Sequence, residues 1–254
     1  MPPVPVSPPV PSASPAPLPA LLAALPAAAL ARLRPHLRRV QLPQGLVLYE
    51  PGEPIVDVYL PDGAVVSLLA VGEGDEAVEA GLVGAEGLVG LPIVLGATAA
   101  PHRAVCQLAG AAWRLPAAAF AAEAGRDGPT RARLARYAQA LLVMTAQGAL
   151  CNARHPVPRR AARWLLLARD RSGADDLPPT HEFLAQMLAV RPASVTEALA
   201  PWQAAGLLRQ DRGRVVLCDR AGLEAVACSC YPLIRAEFVA FAAYSPGAGG
   251  APAP

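Results

Sequence analysis

From Val40 to about Leu115 the apolar residues fall in short runs separated by Gly, Pro and Asp: LVLYE, PGEP, IVDVYL, PDG, AVVSLLA, VGEGDE. The runs are about five residues long, with turn residues every eight to twelve. That rhythm predicts an all-β sandwich or barrel. Asp62-Gly63 predicts a hairpin turn within it. Before this region a short helical stretch is expected over about 18–34, with Leu21, Leu22, Leu25, Leu30 and Leu33 on its apolar side.

After Gly125 the period becomes helical. In GPTRARLARYAQALLVMTAQGALCNARH, Leu134, Leu141 and Gly148 fall seven apart, and Tyr137, Met144 and Cys151 form a second row. These rows read as a and d of a heptad. A long helix with such a seam between two domains predicts a dimer axis through Leu134, Tyr137, Leu141, Met144 and Gly148. An ordinary amphipathic helix packed on its own chain gives the same pattern.

RRAARWLLLAR, Arg159 to Arg169, is the next amphipathic helix, and SGADDLPP reads as a loop. Thr180 can cap a helix over about His181 to Leu188, with Glu182 in its first turn. Ala189-Val190 makes a tight turn. A second helix opens with Pro192 in its first turn, where a missing N–H does no harm. Val195, Leu199 and Trp202 face inward, and Gly206 is placed to stop the helix. Pro201 inside it predicts a kink near Glu197 or an early end, since an interior Pro costs roughly 3 kcal/mol. Two short apolar strands flanking Asp211-Arg212-Gly213 then predict a hairpin with Arg at its tip.

Helix, turn, helix and basic hairpin form the layout of a winged helix-turn-helix, whose second helix enters the DNA major groove. Arg191, Ser194 and Glu197 would lie near base edges, where Arg pairs with guanine and Glu accepts from cytosine. Thr180 belongs to the same interface. Arg209, Arg212 and Arg214 on the wing, with Arg159 and Arg160, suit phosphates.

Charge supports this division. All 22 basic residues are Arg; residues 1–125 carry a net −4 and residues 126–254 a net +6. An acidic half joined to a basic half fits a sensor joined to a polyanion-binding part. Residues 172–254 alone hold 6 Arg and 8 acidic residues, so the last domain is not basic overall. The five cysteines are scattered and no basic signal segment precedes the apolar run Leu18 to Ala31, which predicts a reducing cytoplasm and no membrane span.

The segment HEFLAQMLAVRPASVTEALAPWQAAGLLRQDRGRVVLCDRAGLEAVACSCY resembles the helix-turn-helix and wing of the Crp/Fnr family of bacterial transcription regulators. LPQGLVLYEPGEP and GAEGLVGLPIVLG resemble that family's cyclic-nucleotide-binding-type β-roll. The resemblance covers about residues 20–235. With the Pro-rich composition of both ends, which reads as disordered tails at 1–17 and 243–254, it implies an α+β chain with a β-roll (jelly roll) sensor at 18–125, a dimerisation helix at 126–156 and a winged helix-turn-helix at 157–242. It also implies a homodimer on double-stranded DNA with a pseudo-palindromic operator, RNA polymerase as a further partner and an unidentified small-molecule effector.

The departures from the family pattern matter. Nucleotide-binding relatives place Arg and a small hydroxyl residue after a Gly-Glu turn; here AAPHRAVCQ offers Arg103 without the hydroxyl, and the turn reads Glu86-Gly87. Glu86, Gly87 and Arg103 are the candidate effector pocket, with cyclic AMP not expected to bind tightly. No Cys precedes Cys106, so an N-terminal iron–sulfur cluster is not expected, and His36, His102, His155 and Cys106 are too generic to read as haem ligands. Where the best-known members carry Arg, Glu and a later Arg on the recognition helix, this chain has Pro192, Ala193 and Glu197, so readout would lean on DNA shape.

No cofactor or metal site is expected. Cys228-x-Cys230 is half a zinc site that no second pair or nearby His completes in the sequence, and reads as small helix residues beside Tyr231. The Gly-rich VGEGDEAVEAGLVGAEGLVG is no phosphate loop, and no Ser/His/Asp set points to an enzyme. Two alternatives to a regulated DNA binder stay open: a ligand-sensing module whose helical domain binds protein, and a constitutive DNA binder whose β-roll only supports the dimer.

Overall fold

The computed structural model describes residues 18–74, 76–177, 181–211 and 214–245. The two Pro-rich tails expected to be disordered therefore fall almost wholly outside the described residues. The N-terminal stretch forms two short helices rather than one, α1 (Ala20–Ala23) and α2 (Ala27–Leu33), divided at Pro26. Pro cannot supply the N–H that would continue α1 and suits the start of α2.

The β-roll is two antiparallel sheets. β1 (Arg38–Leu42), β7 (Gly110–Pro116) and β3 (Asp57–Asp62) form one, in the order β1-β7-β3. β2 (Val47–Tyr49), β6 (Arg103–Leu108), β4 (Val65–Val71) and β5 (Ala77–Val83) form the other, in the order β2-β6-β4-β5. Inward residues such as Val58, Leu60, Val66, Val83, Ala104 and Cys106 are fully buried between them. Asp62-Gly63 does not close a hairpin, correcting the expectation: β3 pairs with β7 while β4 pairs with β5 and β6, so the chain changes sheets there.

α3 (Ala117–Arg126) leads into α4 (Gly128–Arg154), a 27-residue helix whose first turn Asp127 caps by accepting from the Thr130 N–H. α5 (Val157–Ser172) follows after Pro156. Then come β8 (Asp176–Leu177), α6 (His181–Leu188), α7 (Pro192–Ala204), β9 (Leu208–Asp211) and β10 (Arg214–Leu217), with the three strands in the order β8-β10-β9. β8 lies in the segment read from sequence as loop. α8 (Arg220–Val226) and α9 (Cys230–Ala243) complete the chain, and α9 packs back along α4 and α5. No single described helix is long and apolar enough to cross a membrane.

Buried contacts join the two halves. Trp164 on α5 donates through Nε1 to Glu79 on β5 at 3.1 Å, and Ser67 donates to the same carboxylate at 2.6 Å. Arg171, buried at the end of α5, donates to the Leu82 carbonyl at 2.7 Å, pairs with Glu86 at 3.1 Å and stacks on Phe238 of α9. Gly84 allows that approach, because a Cβ there would lie 2.4 Å from the Arg171 Cβ.

Candidate nucleic-acid interface and effector cavity

α6 and α7 are joined by three residues, Ala189, Val190 and Arg191. Ala189 takes φ +49°, the left-handed conformation, and Val190 donates back to the Ala185 carbonyl at 2.9 Å. This closes α6 and lets α7 start at once with Pro192 in its first turn. Val195, Leu199 and Trp202 are buried, as their spacing predicts. α7 does not end early: it runs through Pro201 to Ala204, and Gly206 at φ +73° stops it. Glu197 and Pro201 both lie on the exposed side, where water can reach the carbonyl that Pro201 leaves without a donor.

At the N-terminal end of α7, Arg191 and Glu197 are exposed and Ser194 is half-buried, and Thr196, which sequence reading passed over, is exposed as well. Thr196 shares a 2.9 Å contact with His181 Nδ1, while His181 Nε2 lies 2.9 Å from Gln210 on β9. One imidazole thus ties the first helix, the second helix and the wing together. No sequence signal marked His181, because its partners lie 15 and 29 residues away.

Arg209 is exposed on β9, and Arg159 is exposed in the first turn of α5. Neither these nor Arg191 makes an ion pair with a described residue. Arg214 is exposed but bound to Asp176 at 2.8 Å, which raises its pKa further. Thr180 and Arg212 lie outside the described residues. Arg160 is a correction: it is buried, and its guanidinium donates to the Leu188 carbonyl at the end of α6. It ties α5 to α6 and does not face a phosphate.

The expected dimer seam is corrected too. Leu134, Tyr137, Leu141 and Met144 are buried within this chain, and Gly148 is half-buried. Tyr137 donates to the Leu88 carbonyl at 3.1 Å and packs against Phe241 of α9. The heptad pattern identified the apolar face of α4, but the β-roll and α9 cover that face. Leu142 and Leu150 stand out on the opposite side, 64% and 47% exposed.

The three effector candidates do not form one pocket. Arg103 pairs with Glu50 at 2.7 Å, Glu86 turns to Arg171, and Gly87 packs so closely on Tyr137 that a Cβ would lie 2.4 Å from the hydroxyl. A cavity of about 560 Å³ instead lies between the β-roll and α4. Leu91, Leu141 and Leu142 supply apolar wall, and His102, Gln139 and Thr145 supply polar side chains. Burial lowers the pKa of His102 and favours its neutral form.

The reading of Cys228 and Cys230 as residues without a nearby His is also corrected. Cys151 and His155, at the end of α4, meet Cys228 and Cys230, and the four ligand atoms lie within 4.8 Å of one another. Sequence analysis missed this because the two halves of the cluster are about 75 residues apart.

Residues 159–226 match the Crp-like helix-turn-helix domain family. No curated protein sequence matches the chain. The fold is that of solved Crp/Fnr regulators. FixK2 from Bradyrhizobium japonicum superposes with a TM-score of 0.63 at 15% identity, over 76% of this chain and 98% of that one. The c-di-GMP-responsive global regulator CLP of Xanthomonas campestris gives 0.60 at 20% identity, over 76% and 99%. A CRP/FNR-family transcriptional regulator from Thermus thermophilus gives 0.58 at 22% identity, over 74% and 97%.

Proposed function

We propose that this chain, with its Crp-like helix-turn-helix domain and Crp/Fnr fold, is a cytoplasmic transcription regulator that binds a pseudo-palindromic operator as a homodimer. The observation that carries the reading is the N-terminal half of α7, where Arg191, Thr196 and Glu197 are exposed and Ser194 is half-buried, flanked by the exposed Arg209 and Arg159. Base contacts would come from α7, and phosphate contacts from the flanking arginines. Thr180, Arg212 and Arg214 belong to the proposed interface as well, Arg214 after exchanging Asp176 for a phosphate.

The dimer axis is proposed on the outward face of α4. Ala135, Leu142 and Ala149 lie seven apart there, with Leu150 beside them, and all four are exposed. Two-fold pairing along this face would set the spacing of the recognition helices, about 34 Å for adjacent half-sites. Leu142 also lines the 560 Å³ cavity, so a small molecule in the cavity would touch the same helix that carries the dimer face.

The proposed effector is a largely apolar small molecule rather than cyclic AMP. The cavity has no Arg among its lining residues, and its imidazole is held neutral, so a cyclic phosphate would lose its hydration without gaining a counter-charge.

Fluorescence anisotropy on the upstream DNA of the coding gene, across a salt series, tests the reading. Tight binding that weakens steeply with salt is expected, because neutralised phosphates release counterions. Salt-insensitive binding, or none at low salt, would point instead to a helical domain that recognises protein.

A further inference from the structure

Cys151 and His155 are four residues apart, on the last turn of α4 and the residue that follows it, so they project from one side of the helix end. Cys228 lies in the short link between α8 and α9, and Cys230 is the first residue of α9. The three cysteines form their own buried cluster, separate from the main core. Cys151 Sγ is 3.4 Å from Cys228 Sγ, and Cys230 Sγ is 3.6 Å from His155 Nδ1.

These separations suit one small tetrahedral ion. Zinc–sulfur bonds of about 2.3 Å at tetrahedral angles place two ligand sulfurs ~3.8 Å apart, and the shorter zinc–nitrogen bond draws the imidazole slightly closer. An iron–sulfur cluster spreads its cysteines over different irons and would hold their sulfurs farther apart than this group stands. Three thiolates and one imidazole are soft and borderline donors, and four protein ligands leave no open position.

The surroundings fit the charge. Zinc with three thiolates carries one net negative charge. Buried Arg163 on α5 brings a positive charge close to the three cysteines, and its Nε has no hydrogen-bond partner among the described residues. A buried guanidinium beside three thiols is costly unless something anionic forms there.

We propose that Cys151, His155, Cys228 and Cys230 bind one zinc(II) ion, which clamps the start of α9 to the end of α4. The binding step releases the protons of those cysteines that are still thiols and changes no oxidation state. The clamp sits where α4 gives way to α5 at Pro156, so it fixes the C-terminal helix at the joint between the two halves of the molecule. The site stands on its own geometry and does not depend on DNA binding.

The test uses full-length protein purified under reducing conditions, with metal content measured by plasma mass spectrometry. One zinc per chain is expected, falling to near zero in Cys151→Ser and Cys230→Ser and unchanged in Cys218→Ser, whose thiol is exposed and outside the cluster. Wild-type protein stripped with a chelator and titrated with cobalt(II) should give the intense visible bands of a tetrahedral thiolate site. That measurement decides the question if the serine variants fail to fold. His155→Cys should keep the metal and shift the cobalt bands. Chelation should speed hydrogen exchange in residues 220–243 and leave the β-roll unchanged. The proposal is overturned by zinc-free protein whose cobalt spectrum is weak and octahedral, by iron with acid-labile sulfide, or by a Cys151–Cys228 disulfide in the reduced preparation. Unchanged exchange after chelation would overturn the clamp.

Discussion

Trp164 on α5 donates its indole N–H to Glu79 on β5 at 3.1 Å, so the first helix of the helix-turn-helix half is fastened to a sheet of the β-roll by one carboxylate. Burial raises the pKa of Glu79, against the lowering effects of Ser67, Trp164, Arg163 and Arg171. The folded state therefore holds this proton more tightly than the unfolded chain does. The associated stability is complete below the ordinary glutamate range and is lost as pH rises through the raised folded value. Glu79→Gln keeps an acceptor for Trp164 and has no charge to desolvate. Urea denaturation from pH 4 to pH 8 should show wild type losing stability relative to Glu79→Gln with rising pH, levelling off above the raised value. Parallel profiles would mean that the carboxylate does not titrate in this range.

Gly84 and Arg171 make the neighbouring contact of the same interface. An added Cβ at Gly84 would lie 2.7 Å from the Arg171 carbonyl oxygen, which belongs to backbone and cannot swing away. Gly84→Ala should cost about 1–3 kcal/mol, the range for overpacking in a tight core. Thermal melts would register this, and a melt within a degree of wild type would show that α5 can shift.

Ala189 holds the left-handed turn between α6 and α7 and is exposed. An L-residue there costs roughly 1–2 kcal/mol that glycine avoids, partly offset by the greater freedom of glycine in the unfolded chain. Ala189→Gly should stabilise the protein by up to about 1 kcal/mol without weakening DNA binding. A lower melting temperature would contradict the assigned turn geometry.

The proposed interface predicts two kinds of arginine. Arg209→Ala should weaken binding to all DNA sequences alike and reduce the salt slope by about 0.9, the loss of one phosphate contact. Arg191→Ala should relax the preference at one operator position, with a discrimination loss of about 1–3 kcal/mol if Arg191 pairs with guanine. Binding to a set of single-base operator variants separates the two. Equal effects on every variant would move Arg191 to the phosphate class.

The two faces of α4 should respond differently. Leu142→Arg, on the exposed face, should shift sedimentation from dimer to monomer with little change in melting temperature. Leu134→Ala, inside the chain, should cost about 2–5 kcal/mol, the usual range for emptying a packed leucine site. A monomer from Leu134→Ala that melts like wild type would restore the heptad seam as the interface.

Much of the architecture was legible because its signals are local. Turn residues between short Val/Leu runs marked the β-roll, and the seven-residue spacing marked α4. Pro192, Gly206 and the buried triplet Val195, Leu199 and Trp202 marked α7. Pro201 is the exception within α7, since the general cost of an interior Pro takes no account of whether water can solvate the freed carbonyl.

Local pattern determined which residues of this protein turn inward and which segments bend, because helix and strand periods are properties of the backbone. Tertiary structure decided what each inward face meets. It turned Leu134, Tyr137, Leu141 and Met144 to the β-roll and α9, buried Arg160 under α6, and sent Glu86 and Arg103 to different partners. It also joined Cys151 and His155 to Cys228 and Cys230. Periodicity fixes the direction of a side chain relative to its own helix or strand. The position of the neighbouring element depends on how whole elements pack, and no spacing along the chain encodes that.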